Sequence, residues 1–470
     1  MTPAPEAAAL VRRAADVAAA YLEGLPARPV VPRATAAEIA DVLGRALPGS
    51  GEDPATVLDR LAAGADPGIT ATGSGRFFGF VVGGAYPVGV AADVLAAAWD
   101  QNCGLRALAP AASGAEQVAG AWALDLLGLP ATAQVGLVPG GMSANFTGLA
   151  AARHAVLARA GWDVETRGLT GAPRVHVLVN AERHETVDRA LRFLGLGVPT
   201  PVAVDGQGRV RPDSLTQALA AVPAGAPLVV CLYGGHIHTG DHDRYAELIP
   251  LVHDRDGWVH VDGAIGLWAA ACGRLRHLTD GLAAADSWAT DAHKTLNVPY
   301  DCGIAIVADT AAVAGAMGIH ASYVVGDGSG VLEAGWRVPE WSRRGRAFPV
   351  WAVLRHLGRQ GVDDLVSRLH GHAVAMAEAV AAIPKVEVLH DVVATQLSFA
   401  VGDEARTAAV VDHILRDGRT WISGSRWQDR PVVRVSVSNW STDADDVALA
   451  AEVVRQAVAA TAEPWATPHS

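Results

Sequence analysis

In ATDAHKTLNVPYDCGIAIV, residues 289–307, a chain sparing with lysine sets Lys294 beside His293, where the sequence turns quickly into apolar β-formers. Lysine is almost never fully buried unless it is paired or put to use. An amine taken into apolar surroundings has its pKa lowered and becomes a nucleophile suited to Schiff-base chemistry. The structural alternative is a lysine whose ammonium snorkels back to water.

Three other segments carry groups that suit one ligand. In VPGGMSANFTGLAAAR, Gly140 and Gly141 let the backbone approach a ligand closely, and free N–H groups at a helix start attract an anion such as phosphate. Strand-Gly-Gly-helix junctions also occur without one. In HVDGAIG, Asp262 follows the apolar WVHV, where a carboxylate needs a cation or hydrogen bonds; the alternative is a loop-capping acid. In NAERHETVDRA, His184 stands at or just before a helix start, as a cap, a surface ring or a ring that stacks on a ligand. In chain order the four supply an anion site, a ring face, a carboxylate and an amine. These are the parts that hold pyridoxal phosphate.

The elements that must position them alternate from residue 135 to 310. VGLVPGG, RVHVLVN, APLVVCLYGG, WVHVDGA, DSWATDAH and GIAIVAD are β-rich runs, separated by helical patterns such as NFTGLAAARHAVLARAG and HETVDRALRFLG. Runs apolar throughout, such as LVVCLY, predict parallel strands covered by helices on both faces. The ligand then belongs at the carboxyl ends of the strands, where all four groups fall. After SRRGRAFPVWAVLRHLGRQG a long helical region leads through residue 382 to strands mixed with two helices, predicting a smaller α+β domain. The predicted organisation is an N-terminal helical arm over 1–75, a large α/β domain with a mostly parallel sheet over 76–345, and a C-terminal domain over 346–470.

Half of the 470 residues are hydrophobic, and the net charge of −12 comes from dispersed acids, which excludes a nucleic-acid or anionic-membrane footprint. Cys103, Cys231, Cys272 and Cys302 are far apart and form no CxxC pair, which fits buried thiols in a reducing, cytoplasmic setting and argues against disulfides or a structural zinc. The N-terminus reads as an amphipathic helix rather than a signal peptide, and the best apolar window, FVVGGAYPVGVAADVLAAAW, is broken by Gly, Pro and Asp. A soluble enzyme acting on a small molecule is expected.

DAHKTLNVPYDCG, HVDGA and ERHETVDRALRFLGLG resemble the lysine motif, the Asp-x-Ala turn and the ring-stacking histidine segment of the pyridoxal-phosphate-dependent amino acid decarboxylases. This is the group II family of aromatic amino acid, histidine and glutamate decarboxylases. GRFFGFV, SRRGRAFPVWAVLRHLGRQG and VVRVSVSNWST extend the resemblance over most of the chain. It implies an aspartate-aminotransferase-like fold (fold type I) and a homodimer with active sites at the subunit interface. It further implies that Lys294 bonds to the cofactor aldehyde, with His293 and Asp291 beside it. Asp262 pairs with the protonated pyridine nitrogen above Ala264, His184 stacks on the opposite face, and Gly141, Met142 and Ser143 cradle the phosphate. The implied reaction is decarboxylation of an L-amino acid to its amine, with Tyr323 in ASYVVGDGSG governing protonation from a glycine-rich lid. Relatives that make aldehydes oxidatively tend to lack that tyrosine.

The sequence departs from the family in two places. Met142 stands where a Ser or Thr is usual, leaving Ser143 or backbone groups to hold the anion. In LYGGHIHTGDHD, His236 replaces a Thr of the cofactor turn, with His238 two residues on, so a titratable ring near the cofactor is expected. A metal site from His236, His238 and His242 is the weaker reading of that turn. Substrate contacts are expected from Phe77, Phe78, Phe80 and Tyr86 and from the partner's Tyr323 region. Their aromatic content favours an aromatic or apolar substrate, and Arg76 keeps an acidic one open. The alternatives to a decarboxylase are a lyase or oxidative aldehyde synthase on the same scaffold, and a non-catalytic homologue.

Overall fold

In the run LVVCLY every residue is buried, because alternate side chains enter two different apolar layers. Leu228, Val230 and Leu232 join one cluster, and Val229 and Cys231 join the other. A strand apolar on both faces must lie inside a sheet covered on both sides. The computed structural model, which describes residues 4–319 and 331–461, contains that sheet. Its strands are β1 Gln134–Val138, β2 His176–Asn180, β3 Thr200–Val202, β4 Leu228–Tyr233, β5 Trp258–Asp262, β6 Ser287–Asp291 and β7 Gly303–Val307, in the order β1-β7-β6-β5-β4-β2-β3. Neighbours from β3 through β6 pair in parallel, and β7 runs antiparallel between β1 and β6.

The helix Gly141–Arg159 follows β1 and lies across β5, β6 and β7. One of its faces is almost entirely small, with Ala144, Gly148, Ala151 and Ala152 buried, which brings the helix close to the sheet. Strand β5 turns Trp258, His260 and Asp262 towards that helix by the period-2 alternation of a strand.

A second sheet has the order β10-β11-β9-β8, built from β8 Val386–Val388, β9 Gln396–Val401, β10 Ser423–Trp427 and β11 Arg430–Ser436, antiparallel throughout. The helix Ala347–Ala381 connects the two layers. Its first part packs on the helices Pro87–Trp99 and Pro110–Leu127, and it is broken at Gly358, whose φ of 60° lies in the left-handed region. The Gly75–Phe78 segment ties both regions together, since Phe78 N–H donates to Trp421 O and Ser436 N–H donates to Phe78 O.

The helix Ala4–Gly24 has no buried residue among those described, and Val11, Val17 and Leu22 are exposed. An ion pair from Arg13 to Asp59 links it to the helix Pro54–Ala65. All four cysteines are buried free thiols. No helix among the described residues is long and apolar enough to cross a membrane.

Candidate active site

The carboxyl ends of β1, β2, β5 and β6 open on one edge of the sheet, and each delivers one of the groups that the sequence singled out. β5 ends at Asp262, and β6 ends at Asp291, three residues before Lys294. β1 leads through Gly140 into the helix start at Gly141, and β2 leads to His184, the N-cap of the helix Glu185–Phe193.

Asp262 is 2% exposed. Its Oδ2 accepts from Asn145 Nδ2 at 3.0 Å and its Oδ1 from Ala264 N–H at 3.2 Å. Burial raises its pKa, while the nearby charges of His184 and Lys294 pull it back down. Among the described residues it makes no ion pair. A buried carboxylate with two neutral donors still wants a cation, which is what a protonated ring nitrogen supplies.

Lys294 does not snorkel. Its side chain is 22% exposed, and Nζ lies 3.0 Å from Oδ2 of Asp291, which is itself buried. Asp291 Oδ1 is buried without a hydrogen-bond partner, and His293 Nε2 stands 3.6 Å away. His293 Nδ1 accepts from Cys302 N–H at 3.0 Å, and its ring stacks on Tyr300 at 4.1 Å. Burial lowers the His293 pKa, so the ring is a neutral neighbour of the amine.

The helix start at Gly141 closes this side. A side chain there would place Cβ 3.0 Å from Asp291 Oδ2 and 3.4 Å from the Ala264 methyl. The glycine keeps the space beside Asp291 and Ala264 open at a helix start whose first N–H groups have no partner within the helix, in the manner of an anion seat. Met142 packs with the apolar cluster on that face of the sheet, so the missing hydroxyl is not replaced from its side chain. Ser143 stands in the same first turn.

His184 takes up one of its expected roles, the helix cap. Its Nδ1 accepts from Thr186 N–H at 3.2 Å as a helix cap, and its charge interactions are with Asp262, Lys294, Arg434 and Glu185. Burial lowers its pKa and Asp262 opposes that shift. Arg434 went unread in the sequence. It stands among valines in β11, its Nε is buried without a partner, and it makes no ion pair with a described residue. An arginine interrupting an apolar strand was the available signal. Asn145 went unassigned as well, although it stands four residues past Gly141 in the helix Gly141–Arg159.

Several expectations are corrected. His236 is buried but faces Glu182, with Nε2 2.9 Å from Oε2, and its ring lies near Tyr233, His238 and Trp427. Lys294, Asp262 and His184 are not among its partners, because the turn carries it towards the hairpin of β10 and β11. His238 stacks on Trp427 and His242 Nε2 meets Gly266 O at 3.1 Å, so the three rings do not converge. No group of three metal-ligating side chains occurs among the described residues. Of the expected substrate contacts, Phe78 and Tyr86 are core residues and Phe77 is buried against Trp421, leaving Phe80 alone exposed, at 62%. Arg76 donates to the backbone carbonyls of Leu25, Pro26, Arg28 and Arg419, so its guanidinium is used in holding the arm. Tyr323 lies outside the described residues.

A mostly parallel sheet that gathers an amine, an unpaired carboxylate, a capped imidazole and a free helix start at its strand ends defines a pyridoxal phosphate enzyme of fold type I. The chain belongs to a particular family of these, since the pyridoxal-dependent decarboxylase conserved domain matches residues 39–402. It is 28% identical over 460 residues to aromatic-L-amino-acid decarboxylase from Sus scrofa, covering 94% of this chain and 93% of that enzyme. It is 25% identical over 435 residues to 4-hydroxyphenylacetaldehyde synthase from Rhodiola rosea, covering 87% and 86%. The fold superposes on the crystal structure of Oryza sativa TDC with PLP and tryptamine with a TM-score of 0.91, at 22% identity, covering 98% of this chain and 99% of that one. The protein is a pyridoxal-phosphate-dependent amino acid carboxy-lyase.

Proposed function

We propose that this enzyme removes the α-carboxylate of an aromatic L-amino acid, releasing CO2 and the corresponding amine. The observation that carries the chemistry is the buried Asp262 carboxylate, left without a cation beside an inward-turned lysine and a neutral histidine. When bound, the cofactor supplies an electron sink conjugated with the substrate Cα. Asp262 holds a proton at the ring nitrogen. Lys294 would hold the cofactor through its amine, which Asp291 orients from 3.0 Å away. The backbone N–H groups of Gly141, Met142 and Ser143 would hold the phosphate. His184 would cover one face of the ring and exclude water there, Ala264 would pack on the other, and His293 would fill the corner beside Lys294. Arg434, a guanidinium without a carboxylate, is suited to orient the substrate carboxylate. Tyr323 is assigned the return of a proton to Cα.

The aromatic substrate class is supported by similarity to aromatic-L-amino-acid decarboxylases and to tryptophan decarboxylase 1 of Oryza sativa. The use of Arg76 by backbone carbonyls removes the cation that would have favoured an acidic substrate. A homodimer is supported by the arm helix Ala4–Gly24, on which Val11, Val17 and Leu22 are exposed. The arm over 1–75, a large domain over 76–345 and a small one over 346–470 describe the parts that assemble. The four buried thiols and dispersed acidic charge support a cytoplasmic enzyme without a nucleic-acid partner.

The 25% identity to an aldehyde synthase favours one second reading, oxidative conversion to the aldehyde. Assaying CO2 release from each common amino acid under air, with analysis of the products, tests both readings. Amine from aromatic substrates supports the proposal; free aldehyde with ammonia and peroxide overturns it.

A further inference from the structure

Behind Asp262 runs a chain of buried side chains. Trp258 Nε1 donates to Ser287 Oγ at 2.9 Å, and Ser287 Oγ lies 2.9 Å from His260 Nδ1. His260 Nε2 lies 2.9 Å from Asn145 Oδ1, and Asn145 Nδ2 donates to Asp262 Oδ2 at 3.0 Å. His260, Ser287 and Asn145 are fully buried.

The two ends fix every hydrogen between them. An indole nitrogen only donates and an ionised carboxylate only accepts. Asn145 must therefore turn its amide nitrogen to Asp262, which leaves its oxygen to accept from His260 Nε2–H. The lone pair of His260 is then on Nδ1, where it accepts from the Ser287 hydroxyl, whose oxygen in turn accepts from Trp258. All four donors point towards Asp262. Burial drives the His260 pKa down to about 3, so the ring is neutral and has one donor and one acceptor to give.

The seat of this ring is shaped by the helix above it. A Cβ on Gly148 would fall 2.6 Å from His260 Cε1, so only glycine admits the imidazole there. Asn145, one turn earlier, also lies 3.3 Å from Thr186 Oγ1, beside the cap of His184.

We propose that His260, locked as the Nε2–H tautomer by Ser287, is a positioning residue that acts through Asn145 to keep the Asp262 carboxylate charged and aimed at the ring-nitrogen position. Burial alone would drive this carboxylate towards its neutral form, and hydrogen bonds donated to the charged form oppose that. The proposal rests on the reading that Asp262 pairs with the ring nitrogen. The titratable groups facing Asp262 are His184, Lys294, Cys231, Tyr233 and Tyr245, with Arg434 beside His184, and His260 reaches it only through Asn145.

The test uses cofactor-loaded enzyme and four variants: His260→Leu, His260→Gln, Ser287→Ala and Asp262→Asn. Cofactor release into dialysate and the visible absorbance from pH 6 to 9 are measured, with circular dichroism as the check on folding. His260→Leu is expected to release cofactor about tenfold faster and to shift the absorbance profile towards that of Asp262→Asn, as loss of a hydrogen bond to a charged network requires. His260→Gln, which keeps an N–H near the Nε2 position, restores most of the behaviour, and Ser287→Ala releases cofactor about threefold faster. Nitrogen-15 histidine spectra of the unmodified protein should show His260 as neutral Nε2–H. A protonated Nδ1 overturns the proposal. So does unchanged release and absorbance in both Ser287→Ala and His260→Leu while Asp262→Asn alters them. Should His260→Leu fail to fold, Ser287→Ala and the tautomer decide. If Asp262→Asn itself changes nothing, the pairing of Asp262 fails and the proposal falls with it, whatever the tautomer.

Discussion

Lys294 is one of two lysines in the chain, and its ammonium is turned onto a buried carboxylate rather than towards water. Lys294→Ala is expected to abolish turnover and the visible absorbance of the bound cofactor, with the far-ultraviolet circular dichroism unchanged. Tyr323→Phe should shift the products from amine towards aldehyde, ammonia and peroxide, read by product analysis under air. His238 gives a pH prediction. Its ordinary pKa of 6.5 falls to about 3 in the fold, chiefly through burial, so below pH 6.5 the unfolded chain binds a proton that the folded chain refuses. Stability contributed by the neutral ring is therefore complete above pH 6.5 and is lost as pH falls towards 3. Denaturant unfolding of the unmodified chain and of His238→Gln should differ between pH 7.5 and 5.5 by about 1 kcal/mol in that direction. At this scale, residue type and position after a strand were enough to bring out Lys294, Asp262 and His184. Asn145 and Arg434 were not assigned, because their importance lies in partners far off in the chain.

At the scale of elements, the helix start at Gly141 holds a testable geometry. Gly141→Val places branched carbon against Asp291 Oδ2 and Ala264, where Cβ alone already stands 3.0 Å and 3.4 Å away. Cofactor affinity should weaken by more than about tenfold, since the side chain fills the anion seat, while the rest of the helix stays formed. A fluorescence titration of cofactor into the variant measures this. Apolar runs announced β2, β4, β5 and β6 as interior strands, and the structure has them there. The antiparallel direction of β7 was not legible, because an apolar run such as GIAIV has the same pattern whichever way it points. The break at Gly358 was equally hidden within a helical pattern that continues across it.

For the whole molecule, one buried ion pair joins distant segments: Arg343 Nη2 lies 3.0 Å and 3.1 Å from the two oxygens of Glu116, and both residues are buried. Arg343→Met leaves a carboxylate without its partner and should cost about 3–5 kcal/mol in denaturant unfolding. Removing residues 1–24 should convert the proposed dimer to a monomer in light scattering, because the arm helix exposes Val11, Val17 and Leu22. The sequence by itself determined the α/β alternation, the strand ends, the cofactor class and the lysine, since these depend on local pattern and on residue chemistry. Only the tertiary structure decided that Arg76 is used by the arm, that His236 turns to Glu182, and that Asn145, His260 and Ser287 stand in line behind Asp262. Those outcomes depend on which strands become neighbours and on how closely a glycine lets a helix approach, and neither is written in the order of residues along a single element.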